Sequence, residues 1–376
     1  MRINRLKLHN FRNHTDSEIT FAPHLNLITG KNGAGKTNVI DAIHYLCMSR
    51  SFVASSDQYV ANWDEKYFMI EGDFEGEIRH SFKVSCSYSR GDGKKIFVND
   101  SPLKRLSDLI GMVPVVVMSP GDLKLTAEGP AERRSFLDSM ISQISTKYLR
   151  DLMQYRHIRR QRNKLLQEFR GPRQMLETYL EPWSRQLVET GARLIAKRAG
   201  VLKQFKRYLE YQYRTISELK LKPGLTYQTI TDETESTEQI KEVFTNLIQQ
   251  NLEKEIEREQ TLYGPHRDEV VFYLDDMELR NFGSQGQHRL FSMALKMGQL
   301  FYYSDELDDL PIMLLDDLFG NLDQQKVTII METLTKHSGQ TFITSAAEKP
   351  FLKSQFKNRS SNSWYKVEDG NIHLKY

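Results

Sequence analysis

The sequence predicts an α/β head whose sheet is split by a largely helical insertion, and three observations predict it. Residues 25–48 read as strand, glycine-rich loop and helix. Residues 131–214 carry a helical apolar period and a large excess of basic side chains. After residue 263 the α/β character resumes, and an apolar strand over 311–315 ends on two adjacent carboxylates, Asp316 and Asp317. A length of 376 residues suggests two structural units with a sizeable core. With 39% hydrophobic and 27% charged residues the chain is not of the disordered class. The longest apolar run, 113–118, is far too short to span a membrane, and the first residues lack a signal core. Cys47 and Cys86 show no metal-ligand spacing and read as buried thiols of a reducing cytoplasm.

Residues 3–8 and 17–21 alternate apolar and polar, the period of a half-buried strand. Residues 25–29 form a short apolar run, a buried strand. Gly30, Lys31, Asn32, Gly33, Ala34, Gly35, Lys36 and Thr37 then spell G-x-x-x-x-G-K-T, and 38–48 follow as a helix with Val39, Ile40, Ile43, Leu46 and Cys47 as apolar positions. In that setting the loop's backbone N–H groups wrap a polyphosphate and the helix N-terminus adds positive potential. Lys36 reaches the β- and γ-phosphates and Thr37 sets its hydroxyl on Mg²⁺. The chain is therefore expected to bind a nucleoside triphosphate. Further strands are expected at 68–74, 80–88, 95–98 and 113–118, with turns at 90–93 and 119–122.

The helical stretch 131–214 is broken at Gly171-Pro172. Leu149, Leu152 and Met153 begin one stripe, and Leu180, Trp183, Leu187, Leu194 and Ile195 form another, so a helical hairpin is expected. Residues 145–214 hold 17 Lys or Arg against 6 Asp or Glu, a net of +11, which leaves −8 for the rest of a chain of net charge +3. Such a segment beside a triphosphate site suggests a polyanion, nucleic acid, as partner. A loop over 229–236 and a helix over 238–260 with Val243, Leu247, Ile248 and Leu252 follow. A strand at 269–274, helices at 285–303 and 323–336, an acidic loop at 305–309 and a strand at 341–345 complete the reading. The expected division is a discontinuous head, 1–120 with 262–376, and a basic helical lobe, 121–261, as the DNA-contacting subdomain.

Strand tips of open α/β sheets face the ligand crevice, so Asp316 suits Mg²⁺ and Asp317 can orient an attacking water. Ser284 is a natural helix cap and Gly286 permits close backbone approach. Ser284-Gln285-Gly286-Gln287, upstream of a two-acid strand, resembles the signature of ATP-binding-cassette (ABC-type) proteins. That resemblance implies that Ser284, Gly286 and Gln287 close over the γ-phosphate held by a second protomer, with Leu322-Asp323 lining the same interface.

The resemblance then becomes specific. Leu6-Lys7-Leu8-His9-Asn10-Phe11-Arg12-Asn13, the phosphate loop, Arg50-Ser51-Phe52, Ser119-Pro120-Gly121-Asp122-Leu123 and Pro130-Ala131-Glu132-Arg133-Arg134 come in this order. Gly264-Pro265-His266-Arg267-Asp268, the Ser284 signature and Leu314-Leu315-Asp316-Asp317 follow. Together they span nearly the whole chain and resemble the RecF family, cousins of the SMC-type ATPase heads. The resemblance implies a bacterial cytoplasmic, nucleoid-associated protein of gapped-DNA repair, replication restart and the SOS response. It implies binding of single- and double-stranded DNA, homodimerisation on ATP, slow Mg²⁺- and DNA-dependent hydrolysis, and work with RecR and RecO in loading the RecA recombinase. It also implies that Arg12 reaches back to the nucleotide. The loop at 119–123 lacks the Mg²⁺-sensing glutamine of cassette ATPases, leaving Asp122 as a candidate sensor. Thr344 and Ser345 stand where transporter ATPases carry a histidine, and Asp317 replaces the usual glutamate, so modest turnover is expected. His266 and Arg267 read either as helpers of the site or as a structural turn. The competing readings are a transporter ATPase subunit, a small-molecule kinase, and a DNA-binding scaffold glued by ATP without turnover.

Overall fold

The computed structural model describes residues 1–217, 220–231, 236–321, 324–346 and 361–375. Leu322-Asp323 and residues 232–235 of the expected loop lie outside the described residues. Two compact units emerge, Met1–Asp122 with Met293–Tyr376, and Leu123–Ser292. The strands in chain order are β1 (Arg2–Phe11), β2 (His14–Thr20), β3 (Leu25–Thr29), β4 (Tyr67–Gly76), β5 (His80–Ser89), β6 (Gly93–Val98), β7 (Ser101–Pro102) and β8 (Val115–Met118). Then come β9 (Pro223–Gln228), β10 (Glu269–Leu274), β11 (Met277–Glu278), β12 (Ile312–Leu315), β13 (Gln340–Ser345), β14 (Asn362–Glu368) and β15 (Asn371–Leu374).

The first unit holds two sheets. One is an antiparallel sheet in the order β2-β1-β4-β5-β6-β7, and the other runs β15-β14-β3-β13-β12-β8. In the second sheet β14, β3, β13, β12 and β8 are parallel and only β15 is antiparallel. Alternation along β1 and β4 buries Ile3, Leu6, Leu8, Phe68, Ile70 and Phe74. Helix α1 (Lys36–Met48) is buried on all sides: Ala42, Tyr45 and Met48 are as covered as the apolar positions read from sequence. Phe11, Tyr45 and Phe68 meet edge-on at centroid distances of 5.5–6.3 Å, which ties the helix to the antiparallel sheet. Gln340 at the start of β13 pairs with both backbone groups of Ile3, accepting at 2.8 Å and donating at 3.1 Å. Cys47 and Cys86 are free and buried.

The second unit is built on α2 (Lys124–Ala127), α3 (Pro130–Ile144), α4 (Thr146–Glu168), α5 (Arg173–Ile216), α6 (Thr237–Gln250), α7 (Leu252–Glu257), α8 (Leu279–Phe282) and the start of α9 (Gln285–Glu306). The break at Gly171-Pro172 is present, and α4 packs along α5. A second break stands at Ser145, whose hydroxyl accepts from the Tyr148 N–H at 3.2 Å and so caps α4. Met153 is 46% exposed rather than part of the stripe, and Tyr155 and Ile158 are buried instead. Asn251 divides the expected 238–260 helix into α6 and α7, whose buried residues are Ile240, Phe244, Ile248 and Glu255.

Residues 262–292 belong with the helical unit, not with the head as the sequence division has it. The physical reason is pairing: β10 joins β9 and β11 in a separate antiparallel sheet. Arg133 makes a bidentate pair with Glu269, and Arg198 pairs with Asp268 at 3.1 Å. Among the described residues no helix is long and apolar enough to cross a membrane.

Much of the basic excess is internally committed, to partners both inside and outside the segment. Arg156 and Arg198 pair with Asp138, Arg162 with Glu255, Arg173 with Glu177 and Glu253, and Arg193 with Asp151. Both side chains of the Arg162–Glu255 pair are 0% exposed, at 2.6 Å. Arg162 also donates to Ser184 and Thr261, and Glu255 accepts from the Leu262 N–H. Lys147, Arg150, Arg159, Arg160, Lys197, Lys203 and Lys206 make no hydrogen bond or ion pair among the described residues.

Removing one partner of a buried pair strands the other's charge. Arg162→Ala is therefore expected to destabilise the helical unit by about 3–5 kcal/mol, read as a lower urea midpoint; an unchanged midpoint contradicts the network. A second expectation concerns acid. His266 accepts from the Tyr155 hydroxyl at 2.7 Å and faces the Thr261 carbonyl at 3.1 Å. Burial, then the neighbouring Arg159 charge, pushes its pKa down to about 3. The folded value lies below the ordinary one, so the unfolded chain takes up the proton first, and stability present above pH 6.5 is lost as pH falls toward 3. At pH 5 the loss is about 2 kcal/mol. The thermal midpoint should fall between pH 7 and 5, and should fall less in His266→Gln.

Candidate active site

Parallel pairing sets the carboxyl ends of β3, β13 and β12 along one edge of the sheet. Gly30, Thr344 and Asp316 stand at those ends, so three remote stretches of sequence meet there by register alone. Gly30 lies against the end of β14: a Cβ on it would fall 2.3 Å from the Val367 carbonyl oxygen. Gly35 is left-handed, φ 109°, and a Cβ there would strike the Asn13 side chain. The loop is clamped from both sides. Asn13 Nδ2 donates to the Ala34 carbonyl at 2.9 Å, as does the Gly370 N–H at 3.2 Å. His14, fully buried, bridges the Gly370 carbonyl at 2.7 Å and the Gly35 carbonyl at 3.2 Å. Burial lowers its pKa, while the hydrogen bonds to the Gly35 and Gly370 carbonyls oppose that shift.

Lys36 is 7% exposed and its Nζ donates to the Gly30 and Lys31 carbonyls, each at 2.9 Å. Burial lowers its pKa, while the charges of Asp317 and Asp316 oppose that shift. The Thr37 hydroxyl donates to Asp316 Oδ1 at 2.8 Å, and the Thr344 hydroxyl donates to the same oxygen at 2.7 Å. Asp316 Oδ2 accepts no hydrogen bond among the described residues. Asp317 donates its N–H to Thr344 at 3.0 Å, and its left-handed backbone, φ 45°, leaves the carboxylate exposed without a protein partner among the described residues.

Arg12 turns toward α1 rather than toward the loop. Its Nη2 donates to Asp41 and to Ser51, each at 3.1 Å, on a left-handed backbone of φ 58°. Its Nε is buried without a partner. Asp41 also accepts from Ser51 and from the Phe52 N–H, which explains the Arg50-Ser51-Phe52 stretch. Asp122 closes its own turn on the Ser119 N–H at 2.7 Å and pairs with Lys296 at 3.2 Å. His266 is part of the helical unit's interior, the structural turn.

Ser284, Gly286 and Gln287 lie in the helical unit, with Ser284 and Gly286 exposed at the start of α9. The Ser284 hydroxyl accepts from the Gln287 N–H at 3.3 Å, and Gln287 Oε1 accepts from the Ser284 N–H at 2.8 Å. This reciprocal cap fixes the loop's form. Sequence reasoning missed the clamp made by Asn13, His14 and Gly370, and gave Thr344 no positive role. Asn13 follows the apolar strand inside a quoted motif, but nothing in its spacing points at residues 34 or 370.

The residues present fit a triphosphate with Mg²⁺. The glycines leave no side chain in the cradle, a lysine sits in it, and an aspartate bound to the loop's threonine keeps one oxygen free. A family model described as "RecF/RecN/SMC N terminal domain" matches residues 2–368. A DNA replication and repair protein RecF of Salinibacter ruber is 43% identical over 375 residues, 98% of this chain and 91% of that one. A solved structure described as "Structure of the recombination mediator protein RecF-ATP in RecFOR pathway" superposes with a TM-score of 0.90 at 30% identity, covering 100% of this chain and 97% of that one. The crystal structure of an SMC head bound to the C-winged helix domain of ScpA, at 14% identity and a TM-score of 0.55, shares the fold. The chain belongs to the RecF family, with the fold of an SMC-type ATPase head.

Thr344 holds both aspartates, one by its hydroxyl proton and one by its lone pair. Thr344→Val keeps the shape and removes both bonds, so ATP hydrolysis should fall about tenfold while nucleotide affinity changes little. Steady-state turnover beside equilibrium nucleotide binding checks this; an unaltered rate counts against the role.

Proposed function

We propose that this RecF-family chain is an ATP-dependent DNA-binding protein for recombinational repair of gapped DNA and for replication restart, working as an ATP-closed homodimer. The observation that carries the reading is the bond from Thr37 to Asp316, which joins the phosphate loop to the acidic strand across the sheet edge. The backbone of residues 30–37 and Lys36 would hold the triphosphate, and Thr37 with Asp316 would hold Mg²⁺. When bound, the nucleotide supplies a transferable phosphoryl group and the metal neutralises its charge.

The chain's own groups do the rest. Lys36 brings a cation into the cradle, and the charges of Asp317 and Asp316 favour its protonated form. Asp316 is oriented by two hydroxyls, so its free oxygen points where it is needed. Asp317 has an exposed carboxylate on a fixed backbone, and in this reading it would orient a water and take its proton. A base one methylene shorter than glutamate makes weak, DNA-stimulated turnover the expected activity. Ser284 and Gly286 are exposed and the half-buried Gln287 preshapes the loop with Ser284, as a loop that completes another copy's site requires. The unpaired bases of the helical unit are the candidate DNA contacts. RecR- and RecO-type mediators, and RecA through them, are the proposed partners in a bacterial cytoplasm.

Dimerisation and DNA binding measured with ATP, ADP and no nucleotide test this. Lys36→Met should lose every nucleotide-dependent response. Ser284→Arg should keep ATP binding and stay monomeric, and Asp317→Asn should accumulate the ATP-bound dimer. A wild-type chain that remains monomeric with ATP, or ignores DNA at moderate salt, overturns the reading.

A further inference from the structure

Within the helical unit a cleft of about 220 Å³ opens where α3, α4 and α5 meet the turn at Pro265-His266. Four guanidiniums line it, those of Arg134, Arg156, Arg159 and Arg198, against the single carboxylate of Asp138. That carboxylate is already spent, accepting from the Tyr148 hydroxyl at 2.5 Å, from Arg198 at 2.8 Å and from Arg156 at 3.1 Å. Arg198 is spent as well, on Asp138, Asp268, Tyr148 and the Pro265 carbonyl. Arg156 gives Asp138 only one of its N–H groups, and the other two guanidiniums are no more committed. Arg134 gives one N–H to the Asp268 carbonyl at 2.7 Å and makes no other bond, and Arg159 and the Ser135 hydroxyl make none, among the described residues. Burial, then repulsion from the Arg198 charge, lowers the Arg134 pKa against the opposing charges of Glu269, Asp268 and Asp138. The His266 ring stays neutral, so the positive charge there is arginine's alone.

We propose that this cleft is a phosphate-binding site, in a unit that does not contain the phosphate loop, with Arg134, Arg159 and Ser135 donating to the phosphate oxygens. A tetrahedral phosphate spreads its oxygens in three dimensions and can meet two forks and a hydroxyl from different elements at once, whereas a carboxylate has only two oxygens in one plane to share. The volume admits a phosphodiester but no base pair, so the site positions a backbone and reads no sequence. Arg160, unpaired and exposed beside Arg159 on α4, continues the positive surface outside the cleft. The proposal rests on the DNA-binding reading only for the source of the phosphate, a nucleic-acid backbone; a free phosphate shares the chemistry.

The test uses the full chain with Arg159→Ala, which loses no bond within the fold, and Arg160→Ala as an equal loss of charge outside the cleft. In one arm, DNA affinity is followed by anisotropy across a salt series with ATP present. In the other, inorganic phosphate is titrated by ³¹P line broadening in a Lys36→Met background, which silences the phosphate loop. Arg159→Ala should weaken DNA binding about fivefold and lower the slope of log affinity against log salt by about 0.9, with a smaller effect from Arg160→Ala. It should also abolish the line broadening. Broadening lost with DNA affinity unchanged keeps the site and assigns it to free phosphate. Broadening present in a wild-type arm that binds no DNA keeps the site while the DNA-binding reading fails. No broadening in the Lys36→Met chain, with Arg159→Ala and Arg160→Ala weakening DNA binding equally, overturns the proposal.

Discussion

One carboxylate oxygen organises the catalytic edge. Asp316 Oδ1 accepts from Thr37 on the helix after β3 and from Thr344 on β13, while Asp316 itself ends β12. Three neighbouring parallel strands are thereby joined at their tips by side chains as well as by the backbone ladder. Because Thr344 also accepts from the Asp317 N–H, the orientation of the exposed carboxylate depends on the same two hydroxyls. A shift in any strand's register would separate these groups, since one residue of slip turns each side chain to the other face. The burial of α1 between the sheets serves the same end, because it leaves the helix no freedom to carry Lys36 and Thr37 elsewhere.

The sequence showed this edge well because its chemistry is local in two places. The phosphate loop and the two-acid strand each declare themselves within a few residues, and the strands that carry them are short apolar runs. Contacts between distant residues were less legible. β9 begins with Pro223 and Gly224, poor strand formers, and exists because β10 pairs with it; that pairing also helps to draw 262–292 away from the head. Asn13, His14 and Gly370 clamp the loop across more than 300 residues of separation, through backbone carbonyls that no side-chain motif advertises. The break at Ser145 was written as an ordinary N-cap and was hidden by the apolar period continuing through it.

Charge was the least legible property. The excess over 145–214 suggested an exposed basic face, yet Arg162 and Arg198 are among the most buried side chains of the unit. A net charge counts residues within a window, whereas ion pairs form across the fold: Glu255, Asp138 and Asp268 all lie outside that window. The physical division is by commitment. Arginines whose forks are filled hold helices together, and those with N–H groups to spare are available to a ligand. Segment composition cannot separate the two classes, because both use the same residue type on the same helices.

The same distinction bears on the signature loop. Ser284 and Gln287 satisfy each other's backbone and side chain at the start of α9, so the loop holds its shape without a ligand. Ser284 and Gly286 are nonetheless exposed, as a surface meant for another molecule must be. In the proposed homodimer, a loop ordered in advance would lose little conformational entropy on meeting a partner's nucleotide, so most of the contact energy would remain for closing the dimer. Opening the cap instead would make closure carry the cost of ordering the loop. In the proposed homodimer this arrangement would let the nucleotide switch association, with hydrolysis setting how long the associated state lasts.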